Sequence, residues 1–434
     1  MGKENIPETG DYVKVVYDGK EIEGILMPRI AALADDVLVL KLDHGYNIGI
    51  RKDRVSALQL LEKYKQKQVA KKPLSAKKDL PHVSLLSFGG TISSRIDYRT
   101  GGVHADYTAE DFVSMAPEIG EKATITARSV MNMMSEDVES SHWKTMAAAI
   151  HQEIVKDEVA GVVITVGTDT LHYITAALSF FLKDLTKPVV VTASQRSIDR
   201  GSSDAFMNLS CAVTAACSDI AEVMSCMHGT INDDYCLLIR GTKVRKMHTS
   251  RRDAFRPINE KALAKVFQDG TLEITNEHYT KRGTYAACVL DNTFEQDIAL
   301  VLAYPGQQKD IVDFYLKKGC KGIVVAATAL GHVQTNTENS MIPSFARAIK
   351  AGVPVIIASQ TLYGRTHPHV YTNLRKLSLD VGCIFAEDMM PEVAYVKLGY
   401  VLSKEQALDK VAALMVENMR GEINPRHLSD EFLI

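Results

Sequence analysis

Three apolar, strand-like runs of this 434-residue chain each lead into residues able to do chemistry. After Val83–Phe88 (VSLLSF) come Gly89-Gly90-Thr91, two glycines that let the backbone turn sharply and a hydroxyl at the strand's mouth. After Gly161–Val166 (GVVITV) come Gly167-Thr168-Asp169-Thr170, and after Tyr235–Arg240 (YCLLIR) a basic run holding Lys243, Arg245 and Lys246. Singly, each has a plain explanation: a Gly-Gly pair is turn geometry, and a loop lysine is usually solvated. Together they are the minimum kit for acyl transfer by a threonine nucleophile. A free hydroxyl is a poor nucleophile near neutral pH and needs a base beside it. A lysine held by an aspartate serves if it is partly desolvated. The developing oxyanion needs fixed donors, which the amides of a glycine turn can offer. No phosphate-binding pattern, G-x-G-x-x-G or G-x-x-x-x-G-K-[ST], is present.

These residues need strands to carry them. From residue 82 short apolar runs alternate with segments of helical spacing such as 141–155 and 171–185, which predicts a parallel sheet covered on both faces. Ligands of such sheets bind beyond the carboxyl ends of the strands. A polar, basic stretch near residue 245 interrupts the pattern. It resumes with Ile298–Ala303, Gly322–Ala327 and Pro354–Ser359, and 404–419 reads as a closing amphipathic helix. The first sixty residues differ. Tyr12–Tyr17, Glu21–Met27, Val37–Leu42 and Asn47–Arg51, punctuated by Asp18-Gly19 and Asp43-His44-Gly45, predict a small β-barrel. Residues 63–78 contain seven lysines and no acid, either a solvated linker or a contact for RNA phosphates. The boundaries expected are a barrel at 1–62, a lysine-rich linker at 63–81, a large α/β domain at 82–291 and a smaller one at 292–434.

Composition narrows the partners. Fifty Lys+Arg against 53 Asp+Glu leave a charge of -3, so any contact with nucleic acid is local. The 7 cysteines are odd in number and form no C-x-x-C pair, which argues against a disulfide framework or a four-Cys zinc site and for a reduced cytoplasm. No run approaches the ~18–20 apolar residues that span a bilayer, and the first residues lack the apolar core of a secretory signal.

Ser87-Phe88-Gly89-Gly90-Thr91-Ile92 together with Val166-Gly167-Thr168-Asp169-Thr170 resembles the two signature motifs of the bacterial-type L-asparaginases and glutaminase-asparaginases, over residues 82 to about 420. The resemblance implies a two-domain α/β amidohydrolase with Thr91 as primary nucleophile and Thr168, Asp169 and Lys246 as a second hydroxyl–acid–amine group. Lys246 rather than Lys243 occupies the family's lysine position. A lid tyrosine would be Tyr98, with Gly101 and Gly102 as hinges and Tyr107 as its competitor. Ser135-Glu136-Asp137 resembles the substrate-anchoring Ser-Gln-Asp, Ser135 taking the α-carboxylate and Glu136 joining Asp169 on the α-ammonium. Ser135 could equally cap a helix. Gly90 would line the substrate site, and no metal is implied.

Residues 10–55, Gly101–Thr108 and Ala329–Val333 are similar to the D-subunit family of archaeal glutamyl-tRNA(Gln) amidotransferases. That likeness implies a glutamine- or asparagine-hydrolysing subunit with no cofactor of its own. An E-type partner would use ATP and Mg²⁺ to activate Glu-tRNA(Gln) and receive the ammonia. It also implies a homodimer of this chain within a heterotetramer, with residues near Gly331–Asn336 reaching across. Free ammonia is mostly protonated at neutral pH, so it needs a sheltered path and a gated donor reaction, the Tyr98 lid being the expected gate. Two other readings stand beside this one: a stand-alone asparaginase, and a binding module on the same scaffold.

Overall fold

A computed structural model describes residues 6–28, 36–43, 46–63, 80–90, 118–198 and 202–432, and the backbone alone of 94–96 and 103–105. The lysine-rich stretch, apart from Lys63, lies outside them. At the amino end β1 (Tyr12–Tyr17), β2 (Lys20–Leu26), β3 (Val37–Lys41), β4 (Asn47–Arg51) and β5 (Val55–Glu62) form an antiparallel sheet in the order β4-β3-β2-β1-β5. Asp18 and Gly19 turn β1 into β2 with φ of 48° and 73°, the positive pair that a two-residue hairpin demands. β4 and β5 stand at opposite edges, yet only Lys52–Arg54 separates them. Four residue steps reach at most about 14 Å, whereas five flat strands span about 19 Å. The sheet therefore curls toward closure, around Val13, Val15, Leu38, Leu40 and Ile50. This is the small all-β unit that the turn spacing predicted.

Beyond residue 80, the strands in chain order are β6 (His82–Gly89), the hairpin β7 (Ser94–Ile96) and β8 (Val103–Ala105), β9 (Thr124–Met133), β10 (Val159–Thr165), β11 (Leu182–Lys183), β12 (Val189–Thr192), β13 (Val223–His228) and β14 (Cys236–Arg240). β15 (Val244–Lys246), β16 (Phe255–Pro257), β17 (Ala264–Val266), β18 (Leu272–Ile274) and β19 (Val289–Leu290) complete the large domain. Its main sheet has the order β18-β17-β14-β13-β12-β10-β6-β9. Alternate residues of the central strands serve two cores. Leu86, Phe88, Val162, Ile164, Val189 and Val191 meet the helices Ser140–Ile154 and Leu171–Phe181 on one face. Val83, Leu85, Val163 and Val190 meet the helix Ala205–Ala216 on the other. Burial on both faces is why these runs read as continuous apolar stretches rather than alternating ones.

The strand expected at Tyr235–Arg240 does form, but β14 runs antiparallel to β13. Only residues 229–235 join the two, too few for the crossover of a dozen or more residues that parallel neighbours need. Two helix expectations also shift. The helix expected over 171–185 ends at Phe181, where the carbonyl of Phe181 accepts a bond from the Asp291 amide and β11 pairs with β19. The closing helix is Leu408–Val416 rather than 404–419. The Glu405 carboxylate accepts the amides of Gln406 and Ala407 before it starts, and Lys397 Nζ donates to the carbonyls of Met415 and Glu417 at its end.

The small domain's sheet is parallel throughout, in the order β20 (Ile298–Leu302), β21 (Gly322–Ala327), β22 (Val355–Ser359), β23 (Ile384–Phe385). Its helix Pro391–Leu402 is buried at every residue but Tyr395 and shares one apolar core with the 171–181 helix of the large domain. Among the described residues no helix is long and apolar enough to cross a membrane.

Candidate active site

Glycines bring the ends of three neighbouring strands into backbone contact. Gly89 and Gly90, at the end of β6, have φ of 97° and 87°. A Cβ on Gly89 would stand 2.4 Å from the Met133 nitrogen, and one on Gly90 would stand 2.3 Å from the Gly167 nitrogen. Beyond β10, a Cβ on Gly167 would stand 2.5 Å from that of Ser135. Each residue is glycine because no side chain fits. The Gly90 amide donates to the Met133 carbonyl at 3.1 Å, so this donor of the turn is engaged within the fold rather than free for an oxyanion.

The basic stretch that breaks the sequence pattern is a hairpin, with Lys246 of β15 opposite Phe255 of β16. It carries Lys246 to the mouth of β10. There Nζ donates to Thr168 Oγ1 at 2.9 Å and to Asp169 Oδ1 at 2.7 Å. Thr168 is buried, while the Asp169 side chain is 63% exposed. Lys243, the alternative, is buried elsewhere and donates to Asp388 Oδ2 at 2.6 Å. The other cations of the stretch are also paired: Arg245 with Glu392, Arg251 and Arg256 with Asp253, and Arg252 with Asp233. Each cation of a run that is basic in sequence therefore has a carboxylate in space, Arg251 and Arg256 sharing Asp253.

Ser135 opens a single 3₁₀ turn, Ser135–Asp137, and is buried. Its Oγ accepts the Thr170 amide at 2.9 Å, while Thr170 Oγ1 donates to the Ser135 carbonyl at 2.8 Å. Ser135 thus ties the turn to the start of the 171–181 helix; the 140–154 helix is capped instead by Glu139 and His142. Glu136 is exposed beside Ser135. Thr91, Tyr98 and its competitor Tyr107 lie outside the described residues, as do the hinge glycines Gly101 and Gly102; β7 and β8 on either side of residues 97–102 pair antiparallel.

Asp169, His172, Arg245, Lys246, Met247, His248 and Thr249 line an open cleft of about 360 Å³. The larger cavity, about 980 Å³ around Arg240 and Glu260, lies by the opposite end of the sheet, since Arg240 pairs with Met224 at the start of β13. Three residues in and behind the cleft were not singled out by sequence. His172, three positions after Asp169, is buried with Nδ1 unpartnered. Burial, then the Arg245 and Lys246 charges, push its pKa down to about 3, so it is a neutral imidazole. Glu392 and Asp388 come from the small domain, more than a hundred residues away, and only their position in space links them to Arg245 and Lys243. Proximity to the Thr-Asp motif could have flagged His172; no sequence signal marks Glu392.

Taken with this cluster, the two-domain α/β arrangement is that of an asparaginase. Residues 82–280 match the "Asparaginase, N-terminal" family model and 297–415 the "Glutaminase/Asparaginase C-terminal domain" model. The thermostable L-asparaginase from Thermococcus kodakarensis superposes with a TM-score of 0.72 at 27% identity, covering 80% of this chain and 100% of its own. Residues 7–61 match the "GatD N-terminal domain" model. The chain belongs to the D-subunit family of glutamyl-tRNA(Gln) amidotransferases. It is 48% identical to the family's Thermococcus kodakarensis member, over 98% of this chain and 96% of that one. It is 47% identical to that of Pyrococcus furiosus, over 98% and 97%.

Proposed function

We propose that this chain is the amidase component of a tRNA-dependent amidotransferase, hydrolysing the side-chain amide of glutamine or asparagine and delivering the ammonia to a partner. The observation that carries the reading is the lysine bridging Thr168 and Asp169 beside the Gly90–Gly167 junction. Neutral Lys246 takes the hydroxyl proton while Asp169 holds the resulting ammonium. The hydroxyl oxygen attacks the amide carbon, and a tetrahedral oxyanion forms. Collapse of that intermediate expels ammonia with a proton returned from the lysine, leaving a threonyl ester that water cleaves to the free acid. Thr91, which follows Gly90 in the chain, is the attacking residue in this scheme, with Thr168 as the proton relay. Ser135 and Glu136 hold the donor's α-carboxylate and α-ammonium.

The partner half-reaction explains the division of labour. An E-type partner, with ATP and Mg²⁺, activates the glutamyl group of Glu-tRNA(Gln), and the ammonia attacks it there. This chain binds no cofactor in that scheme and acts as a homodimer within a heterotetramer. The match of the first sixty residues to the "GatD N-terminal domain" model favours this over a stand-alone asparaginase.

The test is ammonia release and Gln-tRNA(Gln) formation by the chain with and without an E-type partner and Glu-tRNA(Gln). Thr91→Ala and Lys246→Met should each lower amide hydrolysis by about 10²–10⁴-fold. Mass spectrometry of a trapped ester should find it on Thr91. An ester on Thr168 reverses the two threonine roles, and unimpaired hydrolysis by both variants removes the amidase reading. Donor turnover that is equal with and without the tRNA-bound partner removes the gating by the Tyr98 segment.

A further inference from the structure

The lysine that bridges Thr168 and Asp169 has an ion pair at its back that the proposed chemistry does not use. Glu392, in the first turn of the small domain's 391–402 helix, is only 2% exposed and pairs with Arg245, the residue before Lys246. That carboxylate is 147 positions away in sequence from the arginine it holds. A buried carboxylate is costly unless a cation and hydrogen bonds compensate it, so the pair fixes Arg245 firmly. Lys246 is one peptide bond further along the same three-residue strand.

We propose that Arg245 and Glu392 are positioning residues for Lys246: the small domain's carboxylate clamps β15 from behind, so that the lysine amine stays on Thr168 and Asp169 and the field around it stays balanced. The inference rests on the reading of Lys246 as the base. It makes the attitude of the small domain part of the catalytic geometry, because movement of the 391–402 helix would move the strand that bears the amine. Among the described residues, the charged and titratable groups facing the lysine and its clamp come from four elements. Asp169 comes from the loop after β10, His172 and Tyr173 from the 171–181 helix, Arg245 and His248 from the hairpin, and Glu392 from the small domain. His172 sits within this group with Nε2 3.5 Å from Arg245 Nη1 and 4.0 Å from Glu392 Oε1. Its neutrality leaves Arg245 and Glu392 to cancel each other's charge.

The electrostatic part has a signature that loss of packing does not. Glu392→Gln keeps the shape of the side chain and leaves the arginine charge uncompensated. The ammonium form of Lys246 becomes less favourable, and the ascending acidic limb of the hydrolysis profile moves to lower pH. Arg245→Gln leaves the carboxylate uncompensated and moves the same limb to higher pH. Each shift is on the order of one pH unit for unit charges several ångströms apart in a partly desolvated site. The double variant returns the limb toward wild type, and Arg245→Lys, which keeps the charge, leaves it in place. Misplacing the amine lowers kcat by roughly 10–100-fold with little change in KM.

The experiment is ammonia release from glutamine and from asparagine across pH by the full chain and these four variants, with Lys246→Met alongside. Opposed shifts, cancelled in the double variant, support the proposal. Shifts in one common direction, or none with KM rising instead, overturn it while a dead Lys246→Met leaves the amidase reading intact. Wild-type hydrolysis by Lys246→Met overturns both.

Discussion

At the site, burial and charge give Lys246 and His172 different work. Lys246 is held by two oxygens, one of them on a largely exposed carboxylate, and so keeps contact with the cleft in which an amide would lie. His172 is enclosed and beside two cations, and its pKa falls to about 3. A histidine depressed in the folded state binds a proton in the unfolded chain first. Its contribution to stability is complete above the unfolded value near 6.5 and is lost as pH falls from there toward about 3. At most this is about 4–5 kcal/mol, from 1.36 kcal/mol per unit. His172→Asn should flatten the fall of the thermal midpoint with acidification across that window. An unchanged pH slope would show that His172 binds its proton as readily in the native protein as in the unfolded chain.

Among the elements, the strand ends are the critical parts. β6, β9 and β10 approach through glycines whose missing side chains leave room for a neighbour's backbone or for Ser135. Gly167→Ala should therefore push Ser135 away from Gly167 and break its bonds to Thr170 at the start of the 171–181 helix. The expected result is loss of at least about 10²-fold in amide hydrolysis, with a thermal midpoint lowered by only a few degrees because the two cores flanking the sheet are untouched. Gly90→Ala carries in addition the strain of a positive φ, and should lose both activity and more stability than Gly167→Ala. Activity assay and thermal scan on the same preparations check the order. The hairpin of β15 and β16 plays a different part, delivering a cation to an address that its own sequence does not state.

For the molecule as a whole, a second ion pair joins the domains. Lys243 and Asp388 are both almost wholly enclosed, and Asp388 also accepts the Asn424 amide at 3.0 Å. Asn259 bridges the same boundary, donating to the carbonyls of Asp388 and Gly364. Removing Asp388 leaves the Lys243 charge buried without its carboxylate, which costs about 3–5 kcal/mol. Asp388→Ala should accordingly split the urea transition into two steps, whereas Lys243→Met/Asp388→Leu, which removes both charges, should recover much of the loss. A double variant as unstable as the single one would show that the pair's hydrogen bonds, not its charges, hold the boundary.

Local spacing fixed a good deal of this in advance. The positive-φ Asp18-Gly19 turn, the apolar strands buried on both faces and the Gly-Thr motifs at strand ends are short-range matters, decided by sterics and by the period of the side chains. The choice of Lys246 over Lys243 for the threonine–aspartate pair came instead from the family resemblance of its surroundings, not from spacing. Thr91 and Tyr98 rest on that same footing alone. Other features depended on who the distant neighbour is. β14 reversed direction because its connection was short, and helix ends moved because Asp291 and Lys397 took their last carbonyls. The basic stretch lost its apparent charge partly to its own Asp253 and partly to Asp169, Asp233 and Glu392 from other segments. Glu392 and Asp388 reach their cations across the domain boundary, where the 391–402 helix packs against the 171–181 helix. Charge pairing acts through space and ignores position along the chain, so only the folded arrangement could assign those partners.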